Sequence, residues 1–199
     1  YIVIIPDGAA DYPIDELGGK TPLQVAHTPN MDFLASKGTV GTVRNIPQGF
    51  SPGSDVANLS ILGYDPRVYY TGRAPLEAVS MGLTLSKDDI AYRCNLVTLK
   101  FSDKKQIIMD DYSAGHITSD EAKILIGEID KKLGNDLLRF YPGVSYRHIM
   151  IWKGGTEDVE CTPPHDITGK EISRYLPIGK NANFLKELIF KSLEILQDH

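Results

Sequence analysis

Residues 1–8 read Tyr-Ile-Val-Ile-Ile-Pro-Asp-Gly, a continuous apolar run that stops at Pro6, Asp7 and Gly8. Unbroken Ile and Val, without alternating polar residues, is the pattern of a strand buried on both faces of a parallel sheet. Further on, Thr28 stands as an N-cap and Pro29 as the first helical residue, Met31, Phe33 and Leu34 supply an apolar face, and Gly38 ends the segment. Gly38 to Ile46 then alternates through Val40, Thr42 and Val43 and reads as a second strand. A strand, a loop, a helix and a strand in that order predict the opening of a parallel α/β core.

Working outward, residues 51–63 read SPGSDVANLSILG, with turn formers first, apolar Val56, Leu59, Ile61 and Leu62 next, and a closing glycine. That pattern puts Ser54 at a helix N-terminus. Loops rich in Gly, Pro and Tyr carry Arg67 and Arg73, and a helical stretch from Pro75 to Met81 ends at Gly82. From Ile90 the character changes to strands separated by polar turns: Ile90 to Lys100, Gln106 to Met109 and Val144 to Trp152. Among them lies one helix, opened by the capping box Thr118 to Glu121 and closed by Gly134. Phe184 to Leu196 is amphipathic, with Leu185, Leu188, Ile189, Leu193 and Leu196 on one face, so it needs a surface to cover. These shifts predict two domains, 1–85 and 86–199.

The composition narrows the function. The chain has 199 residues, 42% hydrophobic and 24% charged, enough for one large or two small domains. A net charge of -5 with a pI near 5.5 argues against nucleic acid as a partner, because a phosphate backbone demands a basic face. No apolar run approaches the roughly 20 residues of a spanning helix, and YIVIIP is too short for a secretory signal, so the expectation is a cytoplasmic protein with no membrane partner. Cys94 and Cys161 have no CxxC partner and read as reduced thiols packed as small apolar groups. The chain opens in a strand-like run without methionine and ends directly after an amphipathic helix, which leads us to expect a piece of a longer chain.

Asp7 follows the first strand pattern, so its carboxylate belongs at the carboxyl edge of a parallel sheet, where open α/β folds collect ligands. It can equally cap a turn there. Ser54, at a helix N-terminus, has free N–H groups and the positive end of the helix dipole around it, which favours an alkoxide or an attached phosphate. A serine needs a base or a metal to become a nucleophile, and no histidine lies near it in sequence; a metal held by Asp7 meets that need. A plain N-cap role is the alternative for Ser54. His116, the pair Arg147 and His148, and His165 with Asp166 and Lys170 sit on Gly- or Pro-rich or strand-end segments of the second domain and suit anion binding. Their spacing is not that of a zinc site.

The segments IVIIPDGAADYP, TPNMDFLASKG, SPGSDVANLSILGYDP and YYTGRAPLEAVSMG, followed by YRCNLVTL, DDYSAGHITSDEA, GVSYRHIMIW and PPHDITGK, resemble the cofactor-independent phosphoglycerate mutases of the archaeal type, in the alkaline phosphatase superfamily. The resemblance runs along essentially the whole chain. It implies a partial alkaline-phosphatase-like parallel sheet with an inserted mixed α/β substrate domain. It also implies an enzyme that interconverts 3-phosphoglycerate and 2-phosphoglycerate through a phosphoserine, with two divalent metal ions (manganese, magnesium, zinc or cobalt) as cofactors. Ser54 corresponds to the nucleophile and Asp7 to a ligand of the metal that also contacts Ser54. His116, Arg147, His148, Asp166 and Lys170 correspond to residues that hold the phosphate and carboxylate of the phosphoglycerate. The family pattern continues for about as many residues again, with further Asp and His metal ligands, so this stretch alone is expected to be inactive. Related metal-dependent phosphatases, phosphopentomutase, homoserine-kinase-like relatives and a non-catalytic anion-binding relative remain the alternative readings.

Overall fold

Several helices begin where a side-chain cap satisfies their first free N–H groups. In the computed structural model, which describes residues 2–103, 106–155 and 158–197, the chain divides into a first unit, Tyr1–Tyr70, and a second, Thr71–His199. The first unit holds α1 (Pro22–Val25), α2 (Pro29–Lys37), α3 (Ser54–Ile61) and α4 (Pro66–Tyr69). At α1, Thr21 accepts from the Gln24 N–H while the Gln24 side chain accepts from the Thr21 N–H. At α4, Asp65 accepts from the Arg67 N–H and is gripped by the Arg67 guanidinium at 2.7 Å. Thr28 precedes α2 as expected, but its hydroxyl donates to Asp32 Oδ1 instead of capping the backbone. Gly53 takes the N-cap position of α3, so Ser54 is its first helical residue and is free of that capping duty.

The two expected parallel strands do not form among the described residues. Residues 2–5 belong to no strand, with Ile2 90% and Ile4 79% exposed, and residues 39–45 likewise lack a strand partner. Extended backbone becomes a strand only when a neighbour takes its N–H and C=O groups, and the first unit offers no such neighbour.

The second unit contains α5 (Arg73–Ser80), β1 (Asp89–Asn95), β2 (Thr98–Phe101), β3 (Ile107–Asp111), α6 (Ser119–Leu133), β4 (Leu138–Tyr141), β5 (Arg147–Lys153), β6 (Val159–Glu160), β7 (Ile178–Gly179) and α7 (Ala182–Gln197). Every strand pair among the described residues is antiparallel: β1-β5-β4 form the main sheet, β2 pairs with β3, and β6 with β7. The fold class is mixed α/β, built on small antiparallel sheets. The division falls at Tyr70/Thr71 instead of 85/86 because α5 belongs with the sheet: Ala74 and Ala78 pack on Ile149 and Ile151 of β5.

The opposite face of the main sheet carries α6, whose Ala122, Ile126 and Ile129 recur at helical spacing and pack on Leu138, Phe140 and Met150. Burying a side chain such as Ile126 contributes about 1.5–3 kcal/mol. The predicted box is present, Thr118 accepting from the Glu121 N–H and Glu121 accepting from the Thr118 N–H. At the other end, the Asp130 carboxylate accepts from the Phe140 N–H at 2.8 Å and from Arg139, which ties α6 to β4. Gly134 is required there by space, since a Cβ would stand 2.2 Å from the Asp130 carbonyl oxygen. The amphipathic α7 buries Leu185 and packs Leu188, Ile195 and Leu196 into the same core, while Ile189 and Phe190 stay exposed. No helix among the described residues is long and apolar enough to cross a membrane.

Candidate functional site

In the first unit, the Ser54 hydroxyl donates to Asp7 Oδ2 at 2.9 Å, although 47 positions separate the two residues in the chain. Asp7 leaves the apolar run at a turn, with its N–H donated to the Ile5 carbonyl, and Ser54 opens α3. Both are exposed. A carboxylate and a hydroxyl side by side are hard oxygen donors of the kind that divalent cations take. As a metal centre the pair is incomplete: among the described residues no group of three or more His, Cys, Asp or Glu side chains could hold an ion.

In the second unit, a cavity of about 470 Å³ opens on the α5 face of the sheet, lined by Arg73, Arg93, Asn95, Tyr112, Tyr146, Arg147 and His165. Strand periodicity explains its polarity. Arg93 and Asn95 project from β1 on the side of Ala91, and Arg147 projects from β5 on the side of Ile149 and Ile151, so the apolar contact with α5 gives way to guanidinium groups at one end. Asn95 and Arg147 are cross-strand partners. Glu77 of α5 lies 3.2 Å from Arg93 and fixes that side chain. Rings make one wall: Tyr112 meets Tyr146 edge-on at 5.8 Å and His165 at 6.1 Å, and the Arg147 guanidinium sits 5.5 Å from the Tyr146 ring centre. Three arginines with an asparagine favour a small ligand bearing phosphate or carboxylate groups.

Two tight loops flank this cavity. In the first, Ala114, Gly115 and His116 are all left-handed, with φ of 51°, 68° and 56°. The Asp111 carboxylate holds them there by accepting from the Ser113 hydroxyl and N–H and from the Gly115 N–H; those hydrogen bonds, chiefly to Ser113, keep its carboxyl below the usual range. In the second, residues 142–147, the Gly143 N–H donates to His148 Nδ1 at 3.0 Å. A side chain at position 143 would collide with the Arg147 carbonyl, 2.3 Å from the site of a Cβ.

Of the residues expected to bind an anion, Arg147 lines the cavity, as does His165. His148 does not. It points to the other face of β5, opposite Cys94, is 2% exposed, and its Nε2 has no partner among the described residues. Burial pushes its pKa down to about 4, so it is neutral at pH 7. The reason is the two-residue period of a strand, which sends neighbours 147 and 148 to opposite sides. His116, Asp166 and Lys170 are exposed and do not line the cavity. Lys170 Nζ donates to the Asp166 carbonyl and lies over the Tyr175 ring, while Asp166 sits 3.5 Å from His165. Arg73, Arg93, Asn95, Tyr112 and Tyr146 were not anticipated as site residues; the signal available was the pair of polar groups at 93 and 95 on one face of an otherwise apolar strand. Burial pushes the Cys94 thiol up to about 11, so it offers no thiolate.

Comparison with known proteins gives a consistent result. A sequence model of the family described as 2,3-bisphosphoglycerate-independent phosphoglycerate mutase matches residues 35–199. A protein of that name from Methanosarcina barkeri is 59% identical over 100% of this chain and 49% of its own length. A probable one from Geobacter sulfurreducens is 51% identical over 100% of this chain and 50% of its own. The chain thus spans about half the length of the curated relatives it matches. Among solved structures, a Pyrococcus horikoshii protein aligns with a TM-score of 0.69 at 34% identity, over 97% of this chain and 43% of that one. The cofactor-independent phosphoglycerate mutase of Thermoplasma acidophilum aligns with a TM-score of 0.53 at 28% identity, over 96% of this chain and 50% of that one.

Proposed function

Because the chain belongs to the 2,3-bisphosphoglycerate-independent phosphoglycerate mutase family, we propose that the whole protein interconverts 3-phosphoglycerate and 2-phosphoglycerate, with Ser54 as the phosphoryl acceptor. The observation that carries this reading is the 2.9 Å hydrogen bond from Ser54 to Asp7, which brings an oxygen nucleophile and an anionic oxygen together from distant parts of the chain. Ser54 Oγ attacks phosphorus, the bond from phosphorus to the glycerate 3-oxygen breaks, and the serine proton ends on that oxygen. In the second half of the reaction the glycerate 2-hydroxyl attacks the phosphoserine, and Ser54 regains a proton. Free N–H groups in the first turn of α3 stabilise negative charge at this serine. Asp7 and Ser54 would hold one of two divalent cations, which when bound favour the serine alkoxide.

The three arginines that line the cavity of the second unit, Arg73, Arg93 and Arg147, bind the phosphate and carboxylate of the substrate, Arg147 foremost among them. Since relatives are about twice as long, the remaining metal ligands are proposed to come from chain beyond these residues, as are the partners that pair 2–5 and 38–46 into a parallel sheet of the alkaline phosphatase kind. The segment 1–85 then serves as the nucleophile and metal part and 86–199 as the substrate-binding part, with Arg73 and Glu77 of α5 joining the latter. The reading implies a cytoplasmic enzyme. It is tested in the whole protein by incubation with phosphate-labelled 3-phosphoglycerate. Label is expected on Ser54, and Ser54→Ala should abolish both label and turnover. Substantial conversion by the alanine variant overturns the assignment.

A further inference from the structure

Ser145 lies outside the cavity, yet it touches both loops that border it. Its backbone is left-handed, with φ of 53°, a conformation that is unfavourable for a residue other than glycine and persists only where the surroundings impose it. Two hydrogen bonds impose it here. The Ser145 N–H donates to Ser119 Oγ at 3.0 Å, and the Ser145 hydroxyl donates to the Ile117 carbonyl at 2.7 Å. Ile117 ends the left-handed loop that carries Tyr112 and His116, and Ser119 opens α6 immediately after it. On its other side, the turn 142–147 is pinned by the Gly143 N–H to the buried His148. The two residues that follow Ser145 are Tyr146 and Arg147, which line the cavity, and Tyr146 meets Tyr112 from the opposite loop at 5.8 Å.

We propose that Ser145 is a positioning residue, a latch that joins the 111–118 loop to the 142–147 turn and so holds Arg147 and the Tyr112–Tyr146 wall in the geometry that binds the anionic substrate. The role rests on the proposed substrate reading of the cavity. Without the hydroxyl, the Ile117 carbonyl loses its donor and only the backbone N–H bond to Ser119 still ties the turn to the foot of the 111–118 loop, which loosens Tyr146 and Arg147 as a unit. No catalytic step is assigned to Ser145, so its loss acts on binding and spares the transfer itself.

Three variants of the whole protein test this, with affinity for 3-phosphoglycerate and for inorganic phosphate measured by calorimetry, together with kcat and the thermal midpoint. Ser145→Ala removes the hydroxyl and keeps the backbone strain, whereas Ser145→Gly removes both and is expected to melt higher than the alanine variant. Both should bind about tenfold more weakly, the loss that one hydrogen bond of this kind explains, with kcat at saturation within about twofold of the parent. Arg147→Ala should weaken binding further. If Arg147→Ala weakens binding and neither Ser145 variant does, the latch is overturned and the substrate reading stands. If affinity in the two Ser145 variants follows their thermal midpoints, Ser145 is merely structural and the latch is again overturned. If Arg147→Ala leaves binding unchanged, both the latch and the substrate reading fall.

Discussion

Lowering the pH should destabilise the second unit through a single buried imidazole, that of His148. The ring is 2% exposed, its Nδ1 accepts the Gly143 N–H, and its pKa is pushed from 6.5 down to about 4 by burial. A proton on Nδ1 removes that acceptor and places a charge among Met150, Cys94 and their neighbours. The folded protein therefore keeps the ring neutral while the unfolded chain begins to take up a proton near pH 6.5. Stability from this group is complete above the unfolded pKa, declines as the pH drops below it, and is fully lost once the folded pKa of about 4 is passed. At 1.36 kcal/mol per pKa unit the full loss is about 3 kcal/mol; between pH 7 and 5.5 it is about 1.2 kcal/mol, and by pH 4.5 about 2.4 kcal/mol. The assay is urea unfolding at those three pH values for the parent and for His148→Asn, whose Oδ1 keeps an acceptor where Nδ1 stands. Carboxylates contribute equally to both proteins, so the difference between the two pH dependences isolates the imidazole. An asparagine variant as sensitive to acid as the parent refutes the reasoning, as does an NMR titration in which the His148 ring takes up its proton near pH 6.5.

Two packing predictions follow from the core on the α6 face. Ile126 is fully buried against β4 and β5, so Ile126→Ala should cost about 2–5 kcal/mol in urea unfolding with an unchanged slope, and a loss under about 1 kcal/mol would show that α6 is not part of the core. Gly134→Ala places a methyl 2.2 Å from the Asp130 carbonyl oxygen and should cost about 1–3 kcal/mol; full stability in that variant would mean that the turn from α6 into β4 can open without strain.

What the sequence determined by itself was local. Thr118 with Glu121, Pro29 after Thr28 and the amphipathic run in α7 each carry their own capping or periodic signal within one or two helical turns, and each helix formed there. Motif resemblance also singled out Asp7 and Ser54, whose side chains meet in the structure. Tertiary structure decided everything that depends on a partner distant in the chain. Residues 2–5 have the composition of a buried strand, but a ladder exists only when another strand supplies its hydrogen bonds, and composition cannot supply one. Arg147 and His148 look alike as neighbours in a basic motif, yet the strand period sends the first into the cavity with Arg73 and Arg93 and buries the second behind it. The cavity itself draws its residues from α5, β1, β5, two loops and the short 3-10 helix Pro164–Ile167, and no spacing along the chain encodes their meeting, because it is fixed by which faces of the sheet the helices cover.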